Sequence, residues 1–379
     1  MGVADLADYP WDAVAPYAER ARSHPDGIVD LSIGSPVDPT PTVIAGAIQA
    51  ATDAHAYPQT IGTTALREAI AQWYARRRGV SGLTPAHVLP TIGSKELVAL
   101  LPLLLGLGPG DVVVHPRAAY PTYEVGARLV GATPVSSDDP DEWPDGTRLV
   151  WLNSPGNPDG RVLDAAALRR AVGRARALGA VVASDECYAL LGWDAPWDEL
   201  DIPSALDPEV TGGELTGLLS VYSLSKQSNL AGYRAAFLAG DPALITSLLT
   251  ARKHLGLMLP APVQAAMVAA LRDDAHVDEQ RERYRRRREI LLPAVREAGF
   301  RVDASEAGLY LWATEGRDAW ESVGRLAELG ILAGPGHFYG PHHPHHIRLS
   351  LTAHDERIEA AAERLRAAQP RRTAAPASE

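Results

Sequence analysis

From about residue 43 to 250, short apolar runs alternate with stretches of helical period. Val112–His115, Leu149–Leu152, Val181–Ser184 and Leu218–Ser223 are rich in β-formers and bounded by Gly, Pro or Asp, which predicts buried strands. Between them, Ala165–Leu178 repeats its apolar positions at helical spacing. Unbroken apolar strands belong to sheets covered on both faces, so the pattern predicts an α/β unit with a mostly parallel central sheet and crossover helices on both sides. After about 255 the texture changes to long charged helices, a strand-like run at Val302–Trp312, a Gly-, Pro- and His-rich loop, a second run at Ile347–Leu351 and a closing helix. That predicts a smaller α+β lobe. Residues 1–40, with Trp11, Tyr17 and the turn-forming run Ser35–Pro41, read as an arm that packs against this lobe. The expected division is an arm at 1–40, a large domain at 41–255, a small domain at 256–369 and a disordered tail at 370–379, without internal repeats.

Composition narrows the function. Of 379 residues, 46% are hydrophobic and 22% charged, which excludes a disordered chain, a collagen-like repeat and a coiled-coil rod. Lys plus Arg is 36 and Asp plus Glu is 47, a net charge of −11 and the wrong sign for holding phosphate backbones, so nucleic acid is not an expected partner. The basic run Arg281–Arg288 lies in a helical setting and reads as a solvated face. Cys187 is the single cysteine, which rules out an internal disulfide and a multi-cysteine metal site and suits a reducing compartment. Burial suits it better than reactivity. Asp5 and Asp8 stand where a secretory signal would be basic, and no stretch reaches the roughly 18 apolar residues that span a bilayer. The most apolar stretch, Leu97–Leu107, contains Pro102 and reads as a buried helix. A cytoplasmic location away from membranes is therefore expected.

Ligands of such sheets bind outside the C-terminal strand ends, so the polar residues that follow the apolar runs matter most. Four positions stand out. Val88–Thr91 leads into Gly93-Ser94-Lys95 and a helix, either an ordinary strand–helix junction or a cradle of free N–H groups for a phosphate. Leu149–Leu152 leads into Asn153-Ser154-Pro155-Gly156-Asn157-Pro158, either a plain tight loop or a rigid turn presenting the Asn157 amide. Val181–Ser184 ends in Asp185 and Tyr188, and a carboxylate after so apolar a strand is costly unless something cationic meets it. The fourth run ends in Ser223-Leu224-Ser225-Lys226, with Arg234 eight residues beyond the lysine. Lys226 alone could be a solvated loop lysine. With the other three at the same edge, it reads as a partly buried amine of lowered pKa able to form a Schiff base, while Ser223, Ser225 and Arg234 hold a dianionic phosphate.

One cofactor matches the whole set. An aldehyde for Lys226, an aromatic nitrogen for Asp185, a phenolate oxygen for Asn157 and Tyr188, and a phosphate for the rest are the features of pyridoxal phosphate. Asp185 would keep the ring nitrogen protonated so that the ring acts as an electron sink, and Lys226 would move the substrate proton.

With Asn-Ser-Pro-Gly-Asn-Pro at 153–158, Asp-Glu-Cys-Tyr at 185–188, and Ser-Leu-Ser-Lys with Gly-Tyr-Arg at 223–234, nearly the whole chain resembles the class I/II aminotransferases of pyridoxal-phosphate fold type I. The resemblance implies that Lys226 is the Schiff-base lysine, that Asp185 pairs with the pyridinium and that Asn157 and Tyr188 contact the ring oxygen. It places Gly93, Ser94, Lys95, Ser223, Ser225 and Arg234 at or beside the phosphate and stacks Tyr120 on the ring. Tyr57 would reach the phosphate of a neighbouring subunit, which implies a homodimer. Arg348, in His-Ile-Arg-Leu-Ser, would clamp the substrate α-carboxylate with Gly34 and Asn157 alongside; without the resemblance, a strand arginine is more often a surface ion pair.

The N-terminal runs Tyr-Pro-Trp-Asp at 9–12, Pro-Asp-Gly-Ile-Val-Asp-Leu-Ser-Ile-Gly at 25–34 and Pro-Val-Asp-Pro-Thr-Pro at 36–41 are similar to those of actinobacterial succinyldiaminopimelate aminotransferases of lysine biosynthesis. That implies amino transfer between glutamate and N-succinyl-2-amino-6-oxopimelate by ping-pong half-reactions, with Lys95 and Arg117 as candidates for the distal carboxylate. The alternatives are aspartate or aromatic specificity, a C–S lyase sharing every cofactor ligand, and a ligand-sensing domain derived from this fold, against which the absence of a DNA-binding segment argues. His342, His343, His345 and His346 are interrupted by Pro344, which does not suit the i, i+4 register of a helical metal site, and they read as a loop over the active-site mouth before Arg348.

Overall fold

The computed structural model describes residues 10–368, so the expected tail at 370–379 and Tyr9, Asp5 and Asp8 lie outside the described residues. Seven strands form the main sheet: β1 (Val88–Ile92), β2 (Val112–His115), β3 (Thr133–Ser136), β4 (Thr147–Asn153), β5 (Val181–Asp185), β6 (Leu218–Ser223) and β7 (Ala235–Gly240). Their order is β1-β7-β6-β5-β4-β2-β3. The five strands from β6 to β3 are mutually parallel. β7 runs antiparallel to both its neighbours, so β1 shares the sense of the parallel set. The C-terminal ends of β1, β4, β5 and β6 and the start of β7 therefore meet at one edge.

Both faces of the sheet are covered, which explains the unbroken apolar runs. Val150, Val182 and Leu218 belong to one buried cluster, while their chain neighbours Leu149, Trp151, Ala183 and Leu219 belong to the cluster on the other face. The Ala165–Leu178 helix forms with the bounds its periodicity predicts, capped by the Asp164 side chain, which accepts from the Ala167 amide, and closed by Gly179 at φ +67°. The apolar stretch near residue 100 is the Gly93–Leu104 helix, which continues through Pro102 with Leu97, Val98 and Leu101 buried and Leu103 exposed. No helix among the described residues is long and apolar enough to cross a membrane.

A second, antiparallel sheet holds β8 (Tyr310–Thr314) between Arg301–Val302 and β9 (His346–Ser350), with Gly334–Pro335 beyond β9. The single strand expected over Val302–Trp312 is thus two strands. The cause lies in the run itself, where Asp303, Ser305 and Gly308 supply turn chemistry and Ala304, Ser305 and Gly308 adopt positive φ. The N-terminal segment packs here: Tyr17 of the Ala15–Arg22 helix stacks on Trp320, and Val29–Asp30 pairs in parallel with Ile331–Leu332.

The long Ala275–Glu297 helix only partly fits the expected solvated face. Arg285 and Arg286 are exposed and pair with glutamates on the same helix. Arg287 is instead buried at 2% exposure, held by Asp38 of the arm at 2.6 and 2.8 Å and by Asp355 at 2.6 Å. Helical period explains the difference, because consecutive arginines point in different directions and one of them must face inward. The neighbouring Gln280 binds both Asp38 and Asn229, and the Asn229 amide donates to the Pro39 carbonyl, so the helix ties the arm to the segment that follows Lys226.

This bridge sets a stability prediction. Burial alone would raise the Asp38 pKa, but its hydrogen bonds to Arg287 and Gln280 hold it below the ordinary carboxylate value. A depressed folded pKa stabilises the fold above the unfolded value and loses that contribution as pH falls through the folded one. Asp38→Asn is expected to cost about 3 kcal/mol at neutral pH by leaving a buried guanidinium short of one partner. The deficit relative to wild type should shrink below about pH 4, read by urea unfolding across pH.

Candidate active site

Lys226 lies in the short Leu224–Gln227 helix that β6 enters directly, its start capped by Ser223, whose side chain accepts from the Ser225 amide. The chain then turns through Asn229 and Arg234, both at positive φ, and re-enters the sheet as β7. Lys226 is partly buried, and its ammonium donates to the carbonyl of Gly34 in the arm. Tyr284 of the long helix fixes the lysine backbone by donating to the Lys226 carbonyl at 3.1 Å. Burial lowers the Lys226 pKa, with Arg348 and Arg234 pushing the same way.

Asp185 ends β5 beside it. It is buried, yet it forms no ion pair among the described residues; its partners are the Tyr123 hydroxyl at 2.9 Å, the Cys187 amide at 3.2 Å and the Cys187 thiol. Burial raises its pKa despite these hydrogen bonds. Glu186, the first residue after the strand, is turned away from Asp185 and is satisfied by Arg78 at 3.0 Å, Ser204 and the Ala205 amide. Of two adjacent buried carboxylates, only Asp185 lacks a cation. The buried Cys187 thiol has a pKa well above its usual value, because of burial and then of Asp185, as expected for an unreactive cysteine.

The 153–158 loop is held by Asn153, whose amide donates to the carbonyls of Pro155 and Asp185 at 3.1 and 3.0 Å while its oxygen accepts from the Asn157 amide at 2.8 Å. This points the Asn157 side chain at Arg348, whose Nη1 donates to Asn157 Oδ1 at 2.8 Å and whose Nη2 donates to the Ser32 carbonyl at 2.7 Å. Arg348 is 3% exposed, so it is no surface ion pair, and its Nε–H is buried without a partner. An unmet buried donor costs about 1–3 kcal/mol, a deficit that a carboxylate would remove. Tyr310, Tyr339 and Trp11 surround the guanidinium, with ring centres 4.0, 5.0 and 5.6 Å from Arg348 Cζ.

An anion cradle lies at the same edge. The Gly93–Leu104 helix starts at φ +74° with no side-chain cap, leaving first-turn amides free of such a partner. The Arg234 guanidinium packs so closely over Gly93 that a Cβ there would overlap it. Ser223 and Ser225 are joined at 2.8 Å, and the Ser94 hydroxyl reaches the Cys187 thiol. Lys95 is exposed in the first turn of this helix, and burial and Arg234 lower its pKa.

The structure thus gathers Lys226, Asp185, Tyr188, Asn157, Gly34, Arg348, Gly93, Ser94, Ser223, Ser225 and Arg234 around one strand edge, with Lys95 on its rim. Tyr120 is half-buried on the loop after β2, edge-on to Tyr123 at 5.8 Å. Tyr57 stands apart: it is 92% exposed and joins none of these groups within this chain. Arg117 is engaged by Glu142 at 3.1 Å. In the histidine loop, His346 stacks on Trp312 and pairs with Asp303 at 2.9 Å, and no group of three His, Cys, Asp or Glu among the described residues could hold a metal. The Tyr339 carbonyl of this loop accepts from the Ala119 amide at 3.0 Å, beside Tyr120. A separate cavity of about 180 Å³ lies along the 153–171 region, walled by Trp143 and Trp151, and none of Lys226, Tyr188 and Arg348 lines it. Sequence reasoning missed Tyr123, Asn153, Ser32 and Tyr310. Tyr123, three residues after Tyr120 at a helix start, and Asn153, at a strand tip, carried a positional signal; Ser32 acts through its carbonyl and Tyr310 sits inside an apolar strand, so neither did.

A family model described as aminotransferase class I and II matches residues 26–365. A 4-dedimethylamino-4-oxo-anhydrotetracycline transaminase, OxyQ, from Streptomyces rimosus is 55% identical over 95% of this chain and 99% of its own length. A protein described as probable aminotransferase Rv1178, from Mycobacterium tuberculosis, is likewise 55% identical, over 96% of this chain and 86% of its own. Among solved structures, a single mutant of Thermus thermophilus aspartate aminotransferase superposes with a TM-score of 0.85 at 26% identity, covering 96% of this chain and 98% of that one.

The cradle makes one specific demand, that residue 93 have no side chain. Gly93→Ala is expected to displace the Arg234 guanidinium and weaken binding of pyridoxal phosphate to the apoprotein roughly tenfold, about 1.4 kcal/mol, by absorbance titration. Gly46→Ala, where a Cβ would meet nothing within 4 Å, should leave the affinity unchanged.

Proposed function

The chain belongs to the class I and II aminotransferase family, whose members use pyridoxal phosphate to move amino groups between amino acids and oxo acids, and within it we propose transfer between glutamate and N-succinyl-2-amino-6-oxopimelate. The residues fit that cofactor. A buried carboxylate with only neutral partners suits a ring N–H⁺, and an uncapped helix start facing an arginine suits a phosphate dianion. When bound, the cofactor supplies an aldehyde for covalent attachment and a ring that delocalises the electron pair left when a proton leaves the substrate.

This chain's own residues do the rest. Arg348, aligned by Asn157 and the Ser32 carbonyl, takes the substrate α-carboxylate with its unpartnered Nε–H and adjacent Nη, fixing which Cα–H bond faces the amine. Lys226, its pKa lowered by burial, removes the Cα proton and returns it on the other side of the transfer. Asp185, held by Tyr123 and the Cys187 amide, would pair with the ring nitrogen and favour its protonated form. Asn157 and Tyr188 would hold the ring oxygen, with Tyr120 beside the ring. Gly93, Ser94, the Lys95 backbone, Ser223, Ser225 and Arg234 would hold the phosphate, joined by the exposed Tyr57 of a second copy in a homodimer.

The substrate assignment is carried by the arm. The N-terminal run that resembles succinyldiaminopimelate aminotransferases is the segment that reaches the site: the Ser32 carbonyl meets Arg348 and the Gly34 carbonyl meets Lys226. The competing acceptor is a ring ketone of the kind named for the OxyQ relative. A panel of donors and acceptors followed by cofactor absorbance should give a kcat/KM for the succinylated oxo acid with glutamate at least tenfold above that of aspartate or aromatic pairs. A faster reaction with a polycyclic ketone, or pyruvate release from cystathionine, would replace this substrate. Lys226→Ala should lose about 10³-fold or more in kcat and end labelling of the 226 peptide by borohydride.

A further inference from the structure

Tyr310 belongs to no motif, yet it touches the groups that the reaction needs. It is 4% exposed on β8, paired in register with Ser350 of β9, while Arg348 pairs with Trp312 two residues along. Tyr310 and Arg348 are therefore diagonal cross-strand neighbours on one face, and the phenol ring lies 4.0 Å from Arg348 Cζ. The Tyr310 hydroxyl is 3.1 Å from the Tyr188 hydroxyl. On its third side the arm passes so close that a Cβ at Gly34 would overlap the Tyr310 hydroxyl, which is why that residue is glycine and why its carbonyl can reach Lys226.

We propose that Tyr310 is a positioning residue of the reaction centre: its ring braces the Arg348 guanidinium, and its hydroxyl, hydrogen-bonded to the Tyr188 hydroxyl, fixes where that phenol stands in the site. This rests on the roles given above to Arg348 and Tyr188. Burial alone would raise the Tyr310 pKa, but the Arg348 and Lys226 cations and the Tyr188 hydrogen bond outweigh it and bring it below the ordinary phenol value, against a smaller opposing effect of Cys187. Burial and the neighbouring Tyr310 push Tyr188 well above that value.

Tyr310→Phe removes the hydroxyl and keeps the ring. Its kcat should fall about tenfold while KM for both substrates stays within twofold, whereas Tyr310→Leu should also raise both KM values about tenfold because Arg348 loses its aromatic face. If Tyr310 acts through Tyr188, the double variant with Tyr188→Phe should be no slower than Tyr188→Phe alone; multiplicative losses, or a Tyr310→Phe enzyme with wild-type kcat, would overturn the proposal. Phenol absorbance of the apoprotein supplies a readout free of turnover. One group should titrate below the ordinary tyrosine value of about 10, vanish in Tyr310→Phe and persist in Tyr188→Phe. A titration unchanged by Tyr310→Phe also overturns the proposal. An apoprotein that titrates as expected but aminates no oxo acid would leave the acidic Tyr310 in place and remove the transaminase reading instead.

Discussion

Two groups of opposite charge, the partly buried Lys226 and the buried Asp185, sit at one sheet edge, and among the described residues neither is paired to the other. Each has neutral partners only: a backbone carbonyl for the amine, and a phenol, an amide and a thiol for the carboxylate. Removing such groups from water is unfavourable by several kcal/mol, and an ion pair between them would be the obvious relief. The fold instead holds them apart and lets burial shift both towards neutrality, Lys226 downward and Asp185 upward. Glu186, the next residue and just past the strand, shows that the alternative was within reach, since it too is buried and is answered by Arg78. An unanswered carboxylate beside an answered one suits a cationic partner, as the proposed pairing with a ring nitrogen requires, and the surrounding contacts preserve that state.

Topology does most of the preserving. Parallel strands bring Asn153, Asp185 and Ser223 to one edge, and the antiparallel β7 lets the chain return there, so that Lys226 and Arg234 both lie within one excursion between β6 and β7. That excursion is short enough to need left-handed backbone at Asn229 and Arg234. The strain is offset by tertiary bonds, since Asn229 is held by Pro39 and Gln280 and the Lys226 carbonyl by Tyr284. The arm and the long helix are thus structural supports for the lysine as well as its cover.

How much of this could be read from the chain depended on the kind of signal. The sheet was largely legible because buried parallel strands are unbroken apolar runs: the five runs read from the chain all form strands, whereas the half-exposed edge strand β3 and the antiparallel β7 were not among them. The chemistry at the strand ends was legible because polar residues after apolar runs are conspicuous: Asn157, Asp185, Lys226 and Arg234 all lie there. The Val302–Trp312 run misled because hydrophobicity was averaged over a segment whose turn residues, Asp303, Ser305 and Gly308, divide it. Arg287 misled because a string of arginines looks uniform in one dimension, while a helix distributes it around an axis. Tyr310 was invisible for a third reason: within a buried strand a tyrosine is indistinguishable from any apolar residue until the partner strand and its register are known, and only the diagonal to Arg348 gives it meaning.

The site also joins the two sheets, and this constrains how it can work. Arg348 comes from the four-stranded sheet and Asn157 from the seven-stranded one, while Ser32 and Gly34 come from the arm between them. A carboxylate bound at Arg348 is therefore recognised by an arginine whose orientation is set from both sides at once, and the contact between the Tyr339 carbonyl and the Ala119 amide fixes the same seam next to Tyr120. A shift of one sheet against the other by even 1 Å would break the Arg348–Asn157 bond and move the Gly34 carbonyl off Lys226 together, because both bonds cross the same boundary. The orientation of Arg348 and the placing of the Lys226 amine are in this way set together, because the arm, through the Ser32 and Gly34 carbonyls, is part of both.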